Sequence, residues 1–258
     1  MRGIILAGGT GSRLYPLTKV INKHLIPIGD KPMIYYSIEK LVNAGITEIL
    51  IISGIEHCGS IIQQLGDGSD FNCKLTYKVQ IKAGGIAEAL LLAEDWARDD
   101  SITVILGDNI SNVDLTNYIS QFEKDNHGCV LFLKEVADPE RFGVAEFYKK
   151  MSMKDSQVRI TNIEEKPKNP KSKFAVTGFY IYDKSVFDRI KTLNYSARGE
   201  LEVTDLNKTY LNDNLLTGFI FDDNVWWTDA GTHESLQRAH ELIYNNKKSE
   251  TEWNELQF

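Results

Sequence analysis

The sequence predicts the α/β class, with a mostly parallel sheet and helices on both of its faces. Two observations carry that prediction. Short runs rich in apolar residues recur through the first half: Ile4 to Ala7, Glu48 to Ile52 and Ile102 to Leu106. Two of them stop at polar glycine turns, Gly8-Gly9 and Gly107-Asp108-Asn109. Between the runs, apolar residues return at helical spacing. A run without alternation is a strand buried on both faces, and strands that alternate with helices build βαβ units.

The elements follow in order. After the first strand, Ile34, Ile38, Leu41 and Val42 mark a helix over 32–44, which Gly45 closes. The second strand follows, and Ile86, Leu90, Ala93 and Ala97 then mark a helix over 86–97. The third strand leads to a helix over 114–126 and an apolar run from Cys129 to Leu133. From about residue 140 the texture changes. Strands are predicted near 143–148, 157–163 and 174–182, with helices near 200–211 and 233–245. The polar tail from Asn246 is expected to fray. We expect one domain over 1–258: a Rossmann-like nucleotide-binding half (1–135) and a smaller α+β lobe for sugar binding and oligomerisation (136–258).

Composition bounds the function. A chain of 258 residues with 42% hydrophobic residues can bury a substantial core. Its formal net charge of -7 argues against nucleic acid and anionic membranes as partners. Residues 1–31 are the exception: Arg2, Arg13, Lys19, Lys23 and Lys31 face one acid, Asp30, which suits a small anion. Three scattered cysteines, Cys58, Cys73 and Cys129, speak against a disulfide framework or a zinc knuckle and for a cytoplasmic setting. The apolar run at the start is too short for a signal peptide. His24, His57, His127, His233 and His240 have no metal-ligand spacing and read as structural or surface residues.

Ligands of open α/β sheets bind beyond the carboxyl ends of the strands. Both glycine turns sit there, so they are expected to share one crevice. In Leu6-Ala7-Gly8-Gly9-Thr10-Gly11-Ser12-Arg13-Leu14 the glycines let backbone N–H groups meet a phosphate, Ser12 adds a hydroxyl and Arg13 a bidentate charge. It is not the dinucleotide fingerprint, because Leu14 stands where the last glycine should, nor a Walker A loop, because Arg13-Leu14 stands in place of Lys-Ser/Thr.

The stretch LAGGTGSRLYPLTKVINKHLIPIGDKPMIYY resembles the signature of the glucose-1-phosphate thymidylyltransferases, within the wider sugar nucleotidyltransferase family. The likeness continues through GDN, EEKP, AVTG, RGELEVTD and DAGT, nearly the whole chain. It implies attack of a sugar-1-phosphate oxygen on the α-phosphorus of dTTP, with release of pyrophosphate and Mg²⁺ as cofactor. Such a reaction runs on positioning and charge neutralisation. The likeness implies Asp108 and Asp229 as metal ligands, although either alone could cap a turn. Arg13, Lys23, Asp108 and Lys166 are the implied catalytic residues. Leu6, Gly8, Gly9, Thr10, Gly11, Ser12 and Arg13 would hold the nucleotide, with Gln80 and Gly85 reading the base. Asn109, Gly143, Glu165, Lys166, Val176 and Gly178 would hold the sugar phosphate.

The sequence departs from the pattern at Glu88, where relatives often carry glutamine, and at Phe142, where many carry tyrosine. It is also shorter than the long form of the family, so the regulatory nucleotide site of that form is expected to be absent. UTP in place of dTTP is the nearest alternative, since one methyl separates the two bases. A non-catalytic sugar-nucleotide-binding protein is the alternative of another class. The resemblance also suggests a homo-oligomer.

Overall fold

The computed structural model describes residues 1–148 and 156–255. β1 (Arg2–Ala7) leads into the glycine loop. β2 (Pro27–Ile28) and β3 (Lys31–Pro32) form a small hairpin, and α1 (Met33–Asn43) returns to β4 (Glu48–Gly54). α2 (Cys58–Leu65), β5 (Lys74–Gln80), α3 (Ile86–Leu91) and α4 (Glu94–Ala97) precede β6 (Ile102–Leu106) and β7 (Asn109–Ser111). Then come α5 (Thr116–Asp125), β8 (Cys129–Glu135), β9 (Gly143–Phe147), β10 (Gln157–Val158), β11 (Ile160–Glu165) and β12 (Phe174–Tyr182). α6 (Val186–Lys191), α7 (Val203–Asn212), β13 (Leu216–Ile220), β14 (Trp227–Asp229) and α8 (His233–Glu255) follow.

The central sheet runs in the order β10-β13-β8-β12-β6-β1-β4-β5, with β9 beside β12 and β11 beside β9. β1 pairs in parallel with β4 and with β6, so Ile4 lies between Leu50 and Val104. β12 is antiparallel to both β6 and β8, while β8 and β13 are parallel. The run β5-β4-β1-β6 and the β8–β13 pair are thus parallel, with β12 antiparallel between them and the antiparallel pairs β10–β13 and β9–β11 on its far side. β8 sits between β12 and β13, so the sheet crosses the division at residue 135 without a break.

Side chains of β1 alternate between two cores, as a strand with both faces covered must. Ile4 and Leu6 pack with Ala87, Leu90, Phe187 and Leu206 on one face. Ile5 and Ala7 pack with Ile34, Ile38, Ile61 and Ile119 on the other. A third, smaller core joins Leu14, Ile28 and Met33 to Leu236, Ala239 and Ile243 of α8. Among the described residues no helix is long and apolar enough to cross a membrane.

Several expected elements are redrawn. The helix expected over 86–97 is two, because the chain turns at Leu92 and Ala93. The strand near 157–163 divides into β10 and β11, and the helix near 200–211 begins only at Val203. α8 continues to Glu255 rather than ending near 245. β5 and β13 escaped the sequence reading for physical reasons. β5 is an edge strand with one fully buried residue, Leu75, and Gly218 interrupts the apolar run of β13.

Candidate active site

β1 delivers the chain to the crevice at Ala7, and the glycine loop then folds back. Gly11 has φ +62°, and a Cβ there would stand 2.8 Å from the Thr18 methyl, so no larger residue fits without strain. Its carbonyl accepts from Thr18 Oγ1 at 2.7 Å and from the Leu14 N–H at 2.8 Å. Leu14 is wholly buried in the third core, which pins the far end of the loop and leaves Thr10, Ser12 and Arg13 exposed on its rim.

Lys23 comes from a short 3-10 turn that Asn22 caps. The Asn22 side-chain oxygen accepts from the His24 N–H and lies 2.8 Å from the ring Nδ1. That cap fixes the turn, and Lys23 Nζ donates to Asp108 Oδ2 at 2.6 Å. Burial, then the Lys23 charge, push the His24 imidazole down to about 3, so it is a neutral wall of the crevice. His24 is thus structural, as expected, yet it lines the site.

The two aspartates are brought together by backbone pairing. β7 pairs antiparallel with β14, setting Asn109 opposite Asp229, and the Ala230 N–H donates to the Asp108 carbonyl at 2.7 Å. Their electrostatics differ. Burial works to raise the Asp108 carboxyl, but the Lys23 charge and the hydrogen bonds from Lys23 and Asn109 outweigh it and hold it well below the usual carboxylate range. Burial, then the charge of Asp108, push Asp229 up to about 6 against the pull of Arg141 and Arg13. Arg141 Nη2 donates to both Asp229 oxygens, at 3.1 and 3.2 Å, while Nη1 donates to Asp138 at 2.6 Å.

Two adjoining cavities, of about 240 and 280 Å³, share Asp108, Leu106 and Ile86. The smaller takes in Leu6, Gly8, Gly9, Lys23, Gln80 and Gly85. The larger takes in Gly143, Glu165, Lys166, Val176, Gly178 and Asp229. Arg13 reaches the larger one, while Thr10 lines a hollow next to the smaller. Leu6, Gly8, Gly9, Gln80 and Gly85 thus lie on one side of Asp108 and the residues expected on the sugar phosphate on the other, but Arg13 falls on the sugar side and Gly11 and Ser12 line neither cavity.

Local structure explains the second cavity. The β12–β8 register shifts between Val176 and Tyr180, a bulge that turns this stretch of backbone toward the cavity. Asn109 is buried and committed: Nδ2 donates to Asp108 at 2.9 Å, and Oδ1 accepts from the Gly178 N–H at 2.9 Å and Trp227 Nε1 at 2.7 Å. It clamps Asp108 to the bulge, leaving one N–H for a ligand. Glu165 accepts from Thr204 Oγ1 at 2.5 Å and lies 3.4 Å from Lys166 and 3.5 Å from Arg198. Lys166 holds a left-handed φ of +43° while its N–H donates to the Phe142 carbonyl at 3.0 Å. Phe142 packs edge-on against Trp227.

Arg141, Thr204, Arg198 and Trp227 were not singled out from the sequence. Arg141 directly precedes Phe142 and Gly143, both named from the sequence, and a charge flanking a cavity-lining glycine was the available signal. Thr204 and Arg198 lie within RGELEVTD, where nothing in the pattern distinguishes them.

Among the described residues no cluster of three or more His, Cys, Asp and Glu side chains is placed to hold a metal ion. Asp108 and Asp229 fit a different arrangement. The Asp108 charge raises the Asp229 carboxyl, and such a pair suits a hard divalent cation whose other ligands are phosphate oxygens and water.

A glycine loop at the end of the first strand, cations around it and an aspartate shared by two cavities define a transferase that works on phosphate groups. Residues 2–246 match the nucleotidyl transferase family model, and the chain belongs to that family. It is 45% identical to a glucose-1-phosphate thymidylyltransferase of Neisseria meningitidis over 94% of this chain and 82% of the relative. An enzyme of the same name from Mycolicibacterium smegmatis is 41% identical over the same shares. The fold matches the crystal structure of a Bacillus anthracis protein, described as a glucose-1-phosphate thymidylyltransferase in complex with a sucrose, with a TM-score of 0.87. The two are 54% identical over 94% of each chain. A UDP-glucose pyrophosphorylase bound to UDP-glucose shares the fold at a TM-score of 0.83 and 24% identity, covering 95% of this chain and 98% of its own.

Proposed function

We propose that this chain joins glucose-1-phosphate to dTTP, giving dTDP-glucose and pyrophosphate. The observation that carries this reading is the pair of cavities meeting at Asp108, one with the glycine loop and Gln80, the other with Glu165 and Lys166. The curated relatives of this name, at 41–45% identity, support the substrates. Asp108 and Asp229 would hold Mg²⁺, which when bound supplies charge neutralisation on the triphosphate. A phosphate oxygen of glucose-1-phosphate attacks the α-phosphorus; the new O–P bond forms as the bond to the β-phosphate oxygen breaks, and pyrophosphate leaves with those electrons. The attacking oxygen is already ionised at neutral pH, so no strong base is required. Lys166 holds the sugar phosphate, Glu165 accepts from sugar hydroxyls, Lys23 meets charge growing on the α-phosphate, and Arg13 meets the departing pyrophosphate. Gln80 and Gly85 read the base.

The test is pyrophosphate release with glucose-1-phosphate, Mg²⁺ and each of dTTP, UTP, CTP, ATP and GTP in turn. Release is expected fastest with dTTP. Release confined to UTP, or to a purine nucleotide, overturns the base assignment, and no release with any nucleotide overturns the reaction.

A further inference from the structure

Glu88 stands beside the smaller cavity, against Gln80, and the proposed reaction has no use for its charge. It stands half-buried in the first turn of α3, yet its carboxylate is not turned toward the glycine loop. It folds back over Gly84 so closely that a Cβ there would fall 1.7 Å from Oε2, an approach only glycine permits. One oxygen, Oε1, lies 3.4 Å from Gln80 Nε2, and the other accepts from the Tyr195 hydroxyl at 3.3 Å. Gln80 Nε2 also reaches the Gly85 carbonyl at 3.3 Å, while Gln80 Oε1 lies on the side of Gly8, 3.6 Å from where a Cβ there would stand.

We infer that Glu88 is a positioning residue for base selection: it holds the Gln80 carboxamide nitrogen inward, so that the oxygen alone is presented to the nucleobase. This rests on the reading of Gln80 as the base-facing side chain. A carboxylate and a backbone carbonyl are acceptors only. Flipping the Gln80 amide would set its oxygen against both of them, two repulsive contacts in place of two hydrogen bonds. The fixed acceptor matches a base edge that carries an N–H, which the imino N3–H of thymine and uracil supplies. A glutamine at position 88 could donate as well as accept, and would leave the Gln80 amide free to turn either way.

The experiment compares dTTP with N3-methyl-dTTP, which lacks the imino proton, in the pyrophosphate-release assay with wild type, Glu88→Gln and Tyr195→Phe. Wild type is expected to discriminate strongly in kcat/KM. In Glu88→Gln the KM for dTTP should rise about fivefold with kcat within about twofold, and the discrimination ratio should fall about fivefold or more. Tyr195→Phe, which removes one restraint on Glu88 and keeps the carboxylate, should shift the ratio the same way by about twofold. A merely structural role would weaken both nucleotides together, so an unchanged ratio in Glu88→Gln overturns the inference while leaving the reaction standing. A wild type that turns over dTTP and N3-methyl-dTTP equally well overturns the reading of Gln80 itself.

Discussion

The two cavities on either side of Asp108 are built from different materials. On the nucleotide side the work is done by backbone: a glycine loop pinned by Thr18 and Leu14, a strand end, and the start of α3. On the sugar side it is done by side chains that hold one another: Arg141 on Asp229 and Asp138, Asn109 on Asp108 and Gly178, and Glu165 among Thr204, Lys166 and Arg198. A backbone cradle needs only a short stretch of chain with unusual freedom. A side-chain network needs residues from β7, β11, β14 and α7 to arrive together. On the proposed reading the first meets phosphate through backbone and leaves selection of the base to Gln80 and Gly85, whereas the second ties recognition to the exact placement of several charges.

Substitutions can break this contrast, and the largest effect belongs where the two sides meet. Asp108→Asn keeps the shape of the site but removes the charge shared by both cavities. It should lower kcat by about a hundredfold or more, about 2.7 kcal/mol of barrier, with a much smaller effect on nucleotide binding. Steady-state pyrophosphate release checks this, and a loss of only about threefold, under about 0.7 kcal/mol, would sink the metal-ligand assignment. Glu165→Gln acts on one side alone. The KM for glucose-1-phosphate should rise about tenfold while that for dTTP stays within about twofold, as expected when a charge-assisted hydrogen bond is weakened. Equal rises in both would mean that the two cavities do not act separately.

The smallest effect concerns stability in the metal-free protein. Asp229 keeps its proton up to about pH 6 when folded, while an ordinary aspartate releases it near 3.8. In that window the unfolded chain binds fewer protons, so this carboxyl makes the fold less stable as pH rises from about 4 to about 6. Thermal unfolding in EDTA should therefore show Asp229→Asn gaining on wild type by about 2–4 °C or more between pH 4 and pH 7. A gap that does not change with pH would mean that burial and the Asp108 charge do not hold the Asp229 carboxyl up.

The same contrast explains what could be read from the sequence. The glycine loop, the β6 end and Asp108 were legible because each is a local pattern: an apolar run, a turn and a polar residue at a fixed offset. The parallel core strands were legible for the same reason. Arg141 was not, since its meaning depends on Asp229 from a distant strand, and nothing in its neighbours encodes that meeting. Asn109 was placed on the sugar phosphate, but most of its hydrogen-bonding capacity serves the protein itself. Glu88 could be flagged as a departure, though only the fold shows its carboxylate turned onto Gln80. The break of 86–97 into α3 and α4 was hidden because Leu92 and Ala93 suit a helix by themselves.

The third core carries a consequence for how the protein comes into being. Leu14, which anchors the glycine loop, packs with Leu236, Ala239 and Ile243, so the loop leans on a helix synthesised long after it. Asp229 and its strand partner to Asn109 arrive late as well. A nascent chain can lay down β1, β4 and β6 while synthesis continues, but its phosphate loop stays without a backing until α8 emerges. The proposed activity is therefore expected only of chains that already include α8.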